Sequence, residues 1–210
     1  KPIDYINRAK ELGHNTYFTT EHGGGSNIYE AYRLCKENDI KPIFAVEAYY
    51  VDYMNVKNSR DYYHIMLIAM TNNARKQLNR IISKSYTDGF YYKNRIDLEC
   101  LLSLNPKEVV VTSACVATRL FKGEDWKKNF FLPVYNHFKD NFYLETQCHC
   151  VDIQKNLNKN ILKLSKEYGV KLIHANDSHY IYPEDYKLRN QFLTAKDMRY
   201  PDENNFILDY

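Results

Sequence analysis

No run of apolar residues in this 210-residue chain approaches the roughly 20 consecutive positions that cross a bilayer. Nor does its start show the basic-then-apolar pattern of a secretory leader, so a cytoplasmic location is expected. Glycine and proline are scarce, at 7 and 6 residues, and no Gly/Pro/Ser-rich linker, repeat or low-complexity tract breaks the chain. One compact domain is therefore expected, and 44% hydrophobic content is enough to build its core. The five cysteines, Cys35, Cys100, Cys115, Cys148 and Cys150, are odd in number and scattered, which argues against a disulfide framework. Charge of one sign is also missing: 29 Lys and Arg oppose 26 Asp and Glu for a net +3, far from a surface built to hold duplex nucleic acid by charge alone.

What the chain does have is alternation. Short runs rich in β-branched and aromatic residues predict six strands, at 16–20, 43–51, 64–70, 108–114, 142–147 and 171–176. Amphipathic stretches at 27–38, 73–86 and 151–168 predict helices between them, the last stopped by Gly169. This is the βα signature of an α/β fold. Residues 2–13 have the same form, a helix ending in Gly13 and feeding a strand, so a further strand is expected upstream of Lys1.

In repeated βα folds the loops at the C-terminal strand ends converge on one face. Here those ends carry Glu21-His22-Gly23-Gly24-Gly25, Glu47, Cys115, Glu145 and Asp177-Ser178-His179, while His64 stands at the start of its strand. Imidazole, carboxylate and thiolate are ligands for zinc, manganese or iron, and a mixed set drawn from several strands suits a hydrolytic centre of more than one ion. Each residue also has an ordinary reading. His64 alone would be a core or strand-edge histidine, Cys115 a small buried hydrophobe, and Asp177-Ser178-His179 a turn with local hydrogen bonds. Glu47, set among Phe44, Ala45, Val46, Ala48 and Tyr49, needs a partner or a metal, because a buried unpaired carboxylate is costly. Glu145 and His149 are second-line candidates. Cys148-His149-Cys150 looks like a metal tract, but no second pair is spaced to complete a structural zinc site. The three glycines lack the downstream Gly-Lys-Ser/Thr of a phosphate loop and are expected to turn the backbone past a crowded cluster into a helix at Ser26 or Asn27.

Taken in order, these segments resemble the polymerase-and-histidinol-phosphatase (PHP) domain of bacterial DNA polymerase III alpha subunits. Thr20-Glu21-His22-Gly23 stands for a Thr-Asp-His-Gly block, and Pro42 to Tyr49 for a block carrying Glu and Tyr. His64–Ala69 follows as a His-led strand, then Gly89–Asp97 as Gly-Phe-Tyr-Tyr-Lys-x-Arg-Ile-Asp. Ser113-Ala114-Cys115 stands for Ser-Gly-Cys; Phe142 to Glu145 and Asn176-Asp177-Ser178-His179-Tyr180 complete the series. The resemblance spans nearly the whole chain. It implies a distorted (βα)7 barrel whose first strand, with a His-x-His pair and an Asp, precedes Lys1. It implies a PHP domain over 1–196 and a lead-in to a following polymerase domain over 197–210.

The same resemblance carries metal ligation onto His22, Glu47, His64, Cys115, Asp177 and His179, with Glu47, Asp177 and His179 as catalytic residues. It implies two or three divalent transition-metal ions, zinc, manganese or iron. The partners it implies are DNA and the remaining polymerase domains. The activity implied is metal-dependent phosphodiester hydrolysis, as a 3′–5′ exonuclease within a DNA polymerase. Two rivals accompany it: a metal-stapled structural module that cuts nothing, and a free-standing histidinol-phosphatase-like enzyme. Two departures from the family pattern stand out. Glu21 replaces the usual Asp, lengthening the side chain by one carbon–carbon bond, and Ala114 replaces a Gly, which matters if the backbone there needs positive φ.

Overall fold

In the computed structural model residues 1–195 are described, so the expected lead-in over 197–210 falls outside them. The chain divides into two compact units, Lys1–Tyr143 and Leu144–Tyr210.

The first unit begins with α1 (Pro2–Glu11), β1 (Thr16–His22), α2 (Ile28–Glu37) and β2 (Lys41–Tyr50). The apolar positions of both helices fall on one side, and Ile6, Leu34, Cys35 and Ile40 close into a buried cluster flanked by Ile3 and Tyr17. A helix-free segment, 51–62, leads into β3 (Tyr63–Ala69). Then come α3 (Asn72–Thr87), β4 (Phe90–Tyr91), β5 (Lys93–Ile96), α4 (Leu98–Leu102), β6 (Val109–Thr112) and α5 (Leu132–Phe138), the last entered through a π-helical turn at Lys127–Phe131. The Thr71 hydroxyl accepts from the Ala74 N–H and starts α3, which buries Ala74, Leu78, Ile81 and Ser85.

Strand β2 organises the sheet. Strand β3 runs antiparallel along one of its edges. The other edge is shared in succession: β1 pairs in parallel up to His22↔Glu47, and β5 takes over in parallel at Tyr49↔Arg95. Beyond β3 lies β6, again antiparallel, and beyond that the first residues of β7 (Phe142–Gln147), parallel to β6. The six expected strands are all present. The order departs from a run of parallel βα units at β3, because a parallel crossover needs a long connection, usually helical, and 51–62 contains no helix. Two short strands, β4 and β5, form an additional hairpin.

The second unit continues β7 from Leu144 and adds α6 (Asp152–Tyr168), β8 (Lys171–Ala175) and α7 (Tyr186–Ala195). As expected from the sequence, α6 stops at Gly169, which takes the left-handed conformation with φ +69°. Asn158 ties α6 to β7, its amide donating to the Gln147 carbonyl at 2.7 Å and its oxygen accepting from Gln154 at 2.8 Å.

Candidate metal centre

Three strands of the first unit deliver its site. His22 is the last residue of β1 and pairs with Glu47 on β2; His64 is the second residue of β3 and pairs with Tyr49, two positions after Glu47. Residues two apart on a strand share a face. Glu47 therefore has one imidazole beside it on each neighbouring strand, and His64 reaches the site from a strand start because β3 is antiparallel.

The carboxylate is divided between the two rings. His22 Nε2 lies 3.0 Å from Glu47 Oε2, and His64 Nδ1 lies 3.1 Å from Oε1. Ligand atoms of the three residues all fall within 4.8 Å of one another. Glu47 is buried, while His22 is exposed and His64 intermediate. Burial pushes the Glu47 carboxyl up, but hydrogen bonds from His22 and His64 and their positive charge outweigh it and bring the group down to about 2. Glu47 is thus an anion wherever the protein is folded near neutrality.

Cys115 adjoins the same cluster, its Sγ 3.5 Å from His64 Nδ1. It arrives there through Ala114, which holds φ +57° and is buried. The position does need the left-handed backbone that glycine would adopt freely. The turn after Cys115 fastens back onto β3, with the His64 N–H donating to the Ala117 carbonyl at 2.9 Å.

Gly23 ends β1 at the point where β5 replaces it beside β2. It takes φ +67°, and its N–H donates to the Glu47 carbonyl at 2.8 Å. A Cβ here would meet Asn94 Oδ1 at 2.6 Å, so any side chain would strain the backbone and force Asn94 to shift. The Asn94 amide donates to the Gly23 carbonyl and, at 3.0 Å, to Ser85 Oγ. Asn94 thereby fixes the backbone next to His22, a role the sequence did not signal. Glu21 turns away from the cluster: it accepts from Ser26 Oγ and Asn27 Nδ2 at 2.9 Å and from the Asn27 N–H at 3.0 Å. The longer side chain serves the turn into α2, whose N-terminus favours an anion.

In the second unit Asp177 takes φ +53°, and its carbonyl accepts from His179 Nδ1 at 2.7 Å. That bond fixes the tautomer and leaves Nε2 with a lone pair for a metal. Glu145 and His149 are both buried, and Glu145 Oε1 accepts from Gln147 Nε2 at 2.9 Å. His137 donates to the Leu104 carbonyl at 2.9 Å, a packing role.

Imidazole nitrogen, carboxylate oxygen and thiol sulfur facing one another form a donor set for a borderline transition metal, whereas magnesium or calcium sites are built from oxygen. His22, Glu47 and His64 fit such an ion by chemistry and by spacing, and Cys115 places a sulfur beside His64.

Comparison with known proteins agrees with this reading of the fold. Residues 1–149 match the PHP domain. The DNA polymerase III alpha subunit of Aquifex aeolicus is 32% identical over 201 residues, covering 87% of this chain and 17% of the relative. That of Borreliella burgdorferi is 34% identical over 195 residues, covering 88% and 17%. The chain thus spans about a sixth of the length of these relatives. A solved structure from Bifidobacterium adolescentis, described as a metal-dependent phosphoesterase, shares the mixed α/β fold with a TM-score of 0.52 at 12% identity, covering 86% of this chain and 83% of that one. The chain belongs to the PHP domain family, and over most of its length it is homologous to DNA polymerase III alpha subunits.

Proposed function

We propose that this chain is the metal-binding domain of a replicative polymerase alpha subunit and that it hydrolyses phosphodiester bonds as a 3′–5′ exonuclease. The observation that carries the proposal is Glu47, a buried carboxylate whose two oxygens each face a separate imidazole from a neighbouring strand. A carboxylate so placed can bridge two cations. Two or three zinc, manganese or iron ions would supply the Lewis acidity that lets water attack a phosphodiester. His22, His64 and Cys115 hold the geometry on the first unit's strands. Asp177 and His179 complete the proposed ligands on the strength of the sequence resemblance. Water's oxygen bonds to phosphorus, the P–O3′ bond breaks, and the departing oxygen takes up a proton.

The domain is taken as 1–196 with a distorted barrel of the PHP type, and 197–210 as the approach to the polymerase domains. DNA and those domains are the proposed partners in the cytoplasm. Among the described residues no helix is long and apolar enough to cross a membrane.

A second reading has its own support. Glu47 links β1, β2 and β3 through side chains, so a metal here could staple the sheet without cutting anything. Metal content by elemental mass spectrometry and a labelled single-strand nuclease assay separate the two in the full-length subunit. Two or more bound ions, with cleavage lost in Asp177→Ala and Glu47→Ala, are expected. Bound metal with no cleavage would leave the structural module, and unchanged metal content and cleavage in both variants would refute the assignment.

A further inference from the structure

The rings around the candidate centre continue outward in one direction. Tyr49 stacks on His22, with centroids 5.8 Å apart, and Lys93 Nζ lies 5.1 Å from the Tyr49 centroid. Lys93 opens β5 and is followed by Asn94, the residue that fixes Gly23. The Tyr49 ring thus contacts both a half-buried ammonium and the His22 imidazole. Next to Lys93, at the tip of the β4–β5 hairpin, Tyr92 is 54% exposed and held at φ +59°. Arg60, from the segment 51–62, lies over its ring with Cζ 3.8 Å from the centroid and donates to its hydroxyl at 2.6 Å, while Tyr91 meets the same ring at a near-right angle, centroids 4.8 Å apart. Among the described residues neither Lys93 nor Arg60 is paired with a carboxylate, so both charges are available to an anion.

We propose that Lys93 and the Arg60–Tyr92 stack form a lip that binds a single-stranded polynucleotide, Lys93 taking a backbone phosphate beside the scissile one and Tyr92 stacking a base. The inference rests on the proposed phosphodiesterase and names its substrate class. A phosphomonoester of a small metabolite would need one anion site and no base platform. A strand needs alternating cations and flat rings, the arrangement by which single strands are held without sequence preference. Tyr92 enters with its ring orientation already fixed by Arg60, so little side-chain freedom is lost on stacking.

The test uses the full-length subunit and a short single strand carrying 5-iododeoxyuridine near its 3′ end, crosslinked by light and mapped by mass spectrometry. The crosslink is expected on the peptide containing Tyr92. In parallel, Lys93→Gln should lower kcat/KM for oligonucleotide cleavage roughly tenfold or more, through KM, with metal content intact. Tyr92→Ala should depress oligonucleotide cleavage more than cleavage of bis(p-nitrophenyl) phosphate. Lys36→Gln, on α2, removes the same charge as a control and should do neither. Crosslinks confined to other segments, or a Lys93→Gln variant that behaves like the control, would overturn the proposal. If no metal restores cleavage of any diester, the proposed hydrolysis fails, and the crosslink still decides whether the lip holds a strand.

Discussion

Replacing Glu47 by glutamine changes one oxygen to an NH2 group and should destabilise the metal-free protein by about 2–3 kcal/mol at neutral pH. The carboxylate only accepts, and it faces a ring nitrogen at 3.0 Å on one side and at 3.1 Å on the other. An amide keeps one acceptor and turns a donor toward the second ring, so at least one charge-assisted bond to a buried carboxylate is lost. An independent route gives a similar size. Moving a carboxyl from 4.5 to about 2 corresponds to ~3 kcal/mol. Because the folded value lies below the unfolded one, that stability is fully present above pH 4.5 and is lost as pH falls from 4.5 through about 2. Urea denaturation in the presence of chelator, for wild type and Glu47→Gln, measures both effects. The gap between the two proteins should be widest at pH 6–7 and should close toward pH 2. A gap that is absent at neutral pH, or that stays constant down the acid range, would show that Glu47 is not held by the two imidazoles.

Other perturbations follow from the same geometry. Gly23→Ala introduces a Cβ 2.6 Å from Asn94 Oδ1 at φ +67° and should cost at least ~1–2 kcal/mol by denaturation; adding Asn94→Ala removes the clash and should recover only part of the loss. Ala114→Gly relieves the left-handed strain at φ +57° but forfeits a buried methyl of ~0.8 kcal/mol, so stability should stay within about 1 kcal/mol of wild type. Ala114→Val should cost more than ~2 kcal/mol and displace Cys115, seen as a weaker metal-dependent rise in Tm. Arg95→Met strands the carbonyls of Gly89, Met54 and Val56 that the buried guanidinium now serves and should cost about 2–4 kcal/mol in urea denaturation.

Much of this was legible in the chain because strand and helix signals repeat with period and punctuation. All six strands expected from β-branched runs are present, and Gly169 ends α6 where its left-handed preference says it should. Two things were not legible. The direction of β3 depends on the absence of a helix in 51–62, a weak negative signal. The β4–β5 hairpin escaped because a strand of two residues has no periodicity to read. Of the candidate residues picked by ligand chemistry at strand ends, His22, Glu47 and His64 come within 4.8 Å of one another and Cys115 lies beside His64. Asn94 was missed since an amide on a short strand looks like any solvated residue until its carbonyl partner is known. Ala114 shows the converse, a departure from the family pattern that the backbone angle turns into strain.

The hairpin made by β2 and β3 bears on the order in which the candidate ligands come together. Glu47 and His64 come from consecutive strands closed by the short segment 51–62, so they can meet through a local folding event, whereas Cys115 must wait for β6 to dock from further along the chain. A newly made polypeptide would then offer a carboxylate–imidazole pair to a metal before the thiol arrives. On the proposed function, a sulfur donor that joins later would bias the site toward a softer ion, making metal choice partly a matter of assembly order.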